Sequence, residues 1–153
     1  MKRALRTMGL ALAFAIIATL ALMAYVRLAP VEATALNASP SVYAWDQGGA
    51  WNTVVPMQGG ASLRLAASRG VPPSRVLAQL DAIALATPRT IRIAGSVADG
   101  RITWQTRSLI WGFPDYTTAE AREDGLYIYA RLRFGRSDMG VNAARLQDWL
   151  AQL

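Results

Sequence analysis

Met8 to Val26 is a run of 19 residues without a charge, bracketed by Lys2, Arg3 and Arg6 before it and by Arg27 after it. At roughly 1.5 Å of rise per helical residue, such a run reaches about the 30 Å needed to cross a hydrocarbon core. A secretory signal usually has a shorter apolar core, roughly 7–15 residues, closed by a small-residue cleavage site. The best such site here, Ala33-Thr34-Ala35, lies well past the run. The expectation is an uncleaved anchor through residues 8–26, with a cleaved signal or a buried core helix as alternatives. Cations crowd the N-terminal flank, and only Arg27, soon followed by Glu32, stands beyond the run. The positive-inside rule then leaves the N-terminus in the cytoplasm. The protein is expected to be single-pass in the inner (cytoplasmic) membrane, with its C-terminal part on the periplasmic or extracytoplasmic side.

The remaining length suits one domain with its own core. The net charge of +6 overstates the domain. Setting aside Lys2, Arg3 and Arg6 leaves 13 arginines against 10 acids. So mild an excess gives no case for nucleic acid, which calls for a clustered basic face on a strongly basic domain. The chain has no histidine and no cysteine, and Lys2 is its only lysine. Disulfides, His- or Cys-based zinc sites, Ser-His-Asp triads, thiol nucleophiles, Schiff bases and Ser-Lys dyads are therefore excluded from the domain. No metal and no cofactor is expected, and any catalysis would have to use Asp, Glu, Tyr, Ser, Thr or Arg.

Residues 1–27 are read as anchor or signal, 28–41 as a linker rich in Pro, Ala, Ser and Asn, and 42–153 as a single domain. Residues 42–60, with Trp45, Trp51 and Pro56, suggest irregular or short-strand structure, and Ser62 to Ala67 a first strand. Pro72-Pro73-Ser74 opens a helix whose apolar stripe is Val76, Leu77, Leu80, Ile83 and Ala84, and which Pro88 ends. Ile91, Ile93 and Val97 alternate with Arg92, Ala94 and Ser96 as a strand, and Asp99-Gly100 signals a hairpin. Arg101 to Leu109 follows as its partner, with Ile102 and Trp104 on the core face. After the turn at Gly112-Phe113-Pro114-Asp115, Tyr116 to Arg122 is a weaker strand. Leu126 to Phe134 alternates most clearly, with Tyr127, Tyr129, Arg131 and Arg133 on one side. Ser137 or Asp138 caps a last helix carrying Leu146, Trp149, Leu150 and Leu153. The expected fold is α+β: an antiparallel sheet of four or five strands with two helices on its apolar face, preceded by a transmembrane helix.

The candidate site is the other face. Tyr129, Arg131 and Arg133 share a row, Arg107 and Arg92 are placed on neighbouring strands, and Arg136 and Asn142 flank the last helix. Arginine forks take carboxylate or phosphate in a bidentate manner, and tyrosine adds flat contact with a hydroxyl. The bland alternative is a solvated face whose arginines pair with Glu120 and Glu123 at well under about 1 kcal/mol each. Asp115 and Asp138 are the one carboxylate pair that could divide acid and base roles, although nothing in their spacing brings them together. Trp45, Trp51 and Trp111 fall in loops, where tryptophan lines pockets or meets a bilayer interface.

Gly112-Phe113-Pro114-Asp115-Tyr116, then Ile128 to Asn142, Ala144-Arg145 and Trp149-Leu150, resemble the domain-of-unknown-function family numbered 1499. Arg27-Leu28-Ala29-Pro30 resembles its bacterial members that carry a single N-terminal membrane segment. The resemblance covers about residues 24–31 and 74–153, and departs from a frequent Ser-Arg-Ser-Arg pattern at Ala130 and Leu132. It implies boundaries and no activity. The function expected is non-enzymatic binding of an anionic small molecule, lipid headgroup or envelope partner through Arg107, Tyr129, Arg131, Arg133, Arg136 and Asn142. The alternatives are a hydrolase using Asp115 and Asp138, or a purely structural envelope protein.

Overall fold

The computed structural model describes residues 2–40 and 50–153. Helix α1, Lys2–Leu28, contains the whole apolar run and is long and apolar enough to cross a membrane. A single-turn helix α2, Ala33–Leu36, follows. The remaining elements are β1 Val54–Met57, β2 Gly60–Ala66, α3 Pro73–Ala86, β3 Thr90–Ser96, β4 Arg101–Arg107, β5 Pro114–Arg122, β6 Gly125–Leu132 and α4 Val141–Leu150. Expectations for Trp45 and for residues 42–49 lie outside the described residues.

The strands form one sheet in the order β1-β2-β6-β5-β4-β3, with every neighbouring pair antiparallel. The α+β class holds, but the count of four or five strands is corrected to six. The additional strand is β1, whose four residues include Pro56 and show no alternation. Proline lacks a donor and is tolerated at a sheet edge, which is where β1 lies. Helices α3 and α4 pack on one face, where Leu77, Leu80, Ala84, Leu146 and Trp149 share a core with Leu63, Ile102, Trp104, Leu126 and Ile128. Trp104 and Trp149 meet edge to face at 5.9 Å between centroids. Pro73 starts α3, where a missing N–H costs nothing.

Three local readings are corrected. Alternation put Ile91 in the core and Arg92 on the polar face, but Ile91 is 56% exposed and Arg92 pairs in register with Trp104. The register shifts between Arg92 and Ala94, so the residues before this bulge point opposite to the phase read from those after it. Arg92 reaches Asp81 of α3, which also accepts the indole N–H of Trp104 at 2.8 Å. The strand expected to run to Phe134 ends at Leu132. Leu153, assigned to the last apolar stripe, lies beyond α4 and is exposed.

Candidate functional site

The side of the sheet away from α3 and α4 is covered by the segment expected to be a spacer. Residues 29–39 lie along it, and the polar side chains of the face hold them there. The Thr103 hydroxyl donates to Asn37 Oδ1 at 2.9 Å, and the Thr118 hydroxyl to the Leu36 carbonyl at 3.3 Å. Ser39 donates to Glu120 and accepts from Arg122 Nη2 at 2.9 Å. Register explains why these groups converge: Thr103 pairs with Thr118, Thr118 with Tyr129, and Tyr116 with Arg131.

The arginines singled out from the sequence take part in this strap. Arg131 Nη2 donates to the Leu36 carbonyl at 2.8 Å, with its guanidinium 5.5 Å from the Tyr129 ring centre. Arg133 donates to the Pro30 carbonyl at 2.7 Å and to the Tyr116 hydroxyl at 3.1 Å. Arg107 donates to the Gly112 carbonyl at 2.9 Å and to the Arg27 carbonyl at 3.2 Å. Three guanidinium forks thus hold backbone carbonyls of residues 27–36. The cross-strand ion pairing expected for this face is made at Glu120, which binds Arg101 directly opposite it on β4 and Arg122 of its own strand, and not by Arg107, Arg131 or Arg133 in the ion pairs found among the described residues.

Beside the strap lies an open depression of about 350 Å³, lined by Gln58, Gly59, Tyr129, Arg131, Leu132, Gly135 and Arg136. The β1–β2 turn forms one wall and the segment after β6 the other. Gly59 is required there: its φ is +69°, and a Cβ would sit 2.9 Å from Leu132 Cδ2. Arg136 is exposed. Of the six residues expected to bind a ligand, Tyr129, Arg131 and Arg136 line this depression, Arg131 while also holding the Leu36 carbonyl, whereas Arg107 and Arg133 hold backbone and do not line it.

Asn142 belongs to a second cluster, under α4, and is 0% exposed. Its Oδ1 accepts from Arg145 Nη2, which also donates to Asp115 Oδ2 at 3.1 Å. Arg145 is 7% exposed, and its Nε and Nη1 have no partner among the described residues. Burial pushes the Asp115 carboxyl above its usual range; the Arg145 guanidinium pulls it down, and the Asp138 carboxylate pushes it further up. For Asp138 burial also acts upward, but the backbone N–H groups of Asn142 and Gly140 outweigh it and hold the carboxyl below its usual range. The N-cap position is held by left-handed Gly140 and not by Ser137 or Asp138 as expected, and Asp138, two residues earlier, accepts the Asn142 N–H of the first turn and so serves the capping function from outside it. The Ser137 hydroxyl accepts from the Met139 N–H at 3.2 Å.

Sequence reasoning missed Arg145 and Asp81 as structural centres. Each interrupts the apolar stripe of its helix, and a charge at a core position was the available signal. It also missed the strap, for which no signal existed.

This architecture defines a class: a domain of one six-stranded antiparallel sheet, two helices on one face and a chain segment strapped across the other, led by a long apolar helix. Within that class the family is known. Residues 50–153 match the family described as "Protein of unknown function (DUF1499)", and the chain belongs to it. No curated protein and no solved structure matches the chain.

Proposed function

We propose that the chain is a single-pass membrane protein whose domain stands on the extracytoplasmic side and binds, without transforming, a small anionic group: a phosphate or carboxylate, free or on a lipid headgroup. The observation that carries this reading is the convergence of Arg131 and Arg136 with Tyr129 on one depression. Two guanidinium groups and an aromatic face suit a planar or tetrahedral oxyanion. Arg136 supplies the discriminating test, because it is exposed and its loss leaves the strap bonds in place. The full chain in detergent is heated with inorganic phosphate, glycerol phosphate or a dicarboxylate. The wild type should melt higher with at least one of them, and Arg136→Ala should lose that shift while keeping its own melting temperature. A wild type indifferent to all three rejects the reading.

The hydrolase alternative draws on one observation. Asp115 and Asp138 interact, and their environments push their carboxyls in opposite directions, as acid and base pairs require. Against it, Asp115 is engaged by Arg145 and Asp138 by the start of α4. Turnover on an ester or glycoside panel that disappears in Asp138→Asn, with helicity retained, would favour it; turnover unchanged in that variant eliminates it.

A further inference from the structure

The loop between β4 and β5 exposes three consecutive large apolar residues: Leu109 at 72%, Ile110 at 69% and Trp111 at 41%. Among the described residues, the domain exposes no other such run. In water it is an unfavourable surface, since apolar side chains of this size gain stability by leaving water. Its position supplies the reason. The loop is fastened to the last turn of α1. Arg27 Nη2 donates to the Ile110 carbonyl at 3.2 Å, and Arg107 ties the Arg27 carbonyl to the same loop through Gly112. Gly112 (φ +76°) lies so close to Arg27 that a Cβ would meet Nε at 2.7 Å. Tyr25 packs on Phe134 at 6.2 Å, and Phe134 on Phe113 at 6.2 Å. Val26 is 2% exposed and Met23 is half-buried, although both belong to the apolar run.

The geometry points to a second membrane contact: the Leu109-Ile110-Trp111 loop inserts into the outer boundary of the same bilayer that α1 crosses. The inference rests on the membrane-spanning reading of α1. If residues 8–26 fill the hydrocarbon core, Tyr25 to Arg27 lie at the level where headgroups begin. A loop bonded to Arg27 is held at that level and cannot stand clear of it. Its composition fits, with two aliphatic side chains for the acyl boundary and a tryptophan for the headgroup layer. Arg27 then places its charge among headgroups while its stem stays in apolar surroundings. The opposite end of the sheet, at the Val97–Gly100 turn, is about seven strand residues away, roughly 23 Å. The domain is thereby oriented, with β3–β4 standing on the bilayer by the end that leads into the loop.

The absence of cysteine makes the test direct. Leu20→Cys, Ile110→Cys and Ala98→Cys are made singly; all three positions are exposed, so the fold is not disturbed. Each is labelled with an environment-sensitive fluorophore. The full chain is reconstituted in phosphatidylcholine–phosphatidylglycerol vesicles containing lipids with nitroxides at shallow or deep positions. The expected result is strong quenching at 20 by deep nitroxides, strong quenching at 110 by shallow nitroxides, and little quenching at 98 by either. Quenching at 20 with position 110 behaving like 98 overturns the loop contact while leaving the span intact. No quenching at 20 removes the span, and the loop contact with it.

Discussion

Replacing Arg145 with methionine keeps much of the side chain's length and removes its charge. The guanidinium is buried and makes two charge-assisted bonds, to Asp115 and Asn142. Bonds of that kind contribute about 1.5–3 kcal/mol each, so their loss alone costs about 3–6 kcal/mol. Two other guanidinium nitrogens have no partner among the described residues. Each burdens the wild type by about 1–3 kcal/mol, and methionine relieves both. Those two contributions nearly cancel, so the net loss comes from leaving the Asp115 carboxylate buried without its partner, for which about 3–5 kcal/mol is typical of breaking a buried pair. That is a large share of a stability of about 5–15 kcal/mol.

The pH dependence follows from the carboxylate left behind. Burial already raises Asp115 from its usual 3.8, and loss of the opposing guanidinium raises it further. An acid whose folded value is raised binds its proton more tightly when folded. Its contribution to stability is then fully present below the unfolded value and is lost as pH rises through the folded one. The variant's deficit should therefore be largest near neutrality and shrink on acidification. Urea unfolding of the full chain in detergent, followed by tryptophan fluorescence at about pH 7 and about pH 4, measures both. The double variant Asp115→Asn, Arg145→Met should recover part of the loss at neutral pH. A deficit below about 1 kcal/mol, or one that does not change with pH, refutes the reasoning.

The Asp138→Ala variant should lose about 1 kcal/mol as a cap. Because the folded Asp138 value is lowered, that contribution is present above the unfolded value and disappears as pH falls through the folded one, opposite in sign to Asp115. Gly95→Ala places a Cβ 2.0 Å from the Arg101 carbonyl oxygen at φ +77°; a loss of about 2–4 kcal/mol, read as a lower thermal midpoint by circular dichroism, is expected. Arg133→Ala frees the Ala29 and Pro30 carbonyls. Hydrogen exchange should quicken across residues 29–39 while strands β4 to β6 keep their protection; uniform loss of protection would mean that Arg133 supports the whole sheet.

Much of the candidate site was legible as residue types and little as connections. The row Tyr127, Tyr129, Arg131 and Arg133 follows from a period of two, and that period survives in β6 to Leu132. Asp138 announces itself as a cap because short acidic side chains before a helix have few other uses. Arg92 was misplaced because a bulge changes the phase of alternation without any mark in the residues. Asp115 and Asp138 were identified as a pair without spacing to join them; Arg145 and Asn142, on the inner side of α4, bring them into one cluster.

The chain by itself determined its long apolar N-terminal helix, its two packed helices and the antiparallel pairing of its best strands. Each of these depends on periodicity or uninterrupted apolarity within a short window, so local order carries the whole signal. The tertiary structure alone decided what the arginines do. Arg131 and Leu36 are 95 residues apart, and Arg133 and Pro30 are 103 apart. What the guanidinium groups bind there is backbone carbonyl, which every residue possesses. No side-chain pattern can announce such a partner, so only the folded chain shows that the strap lies across the sheet and leaves Arg136, with Tyr129 and Arg131, at the open depression beside it.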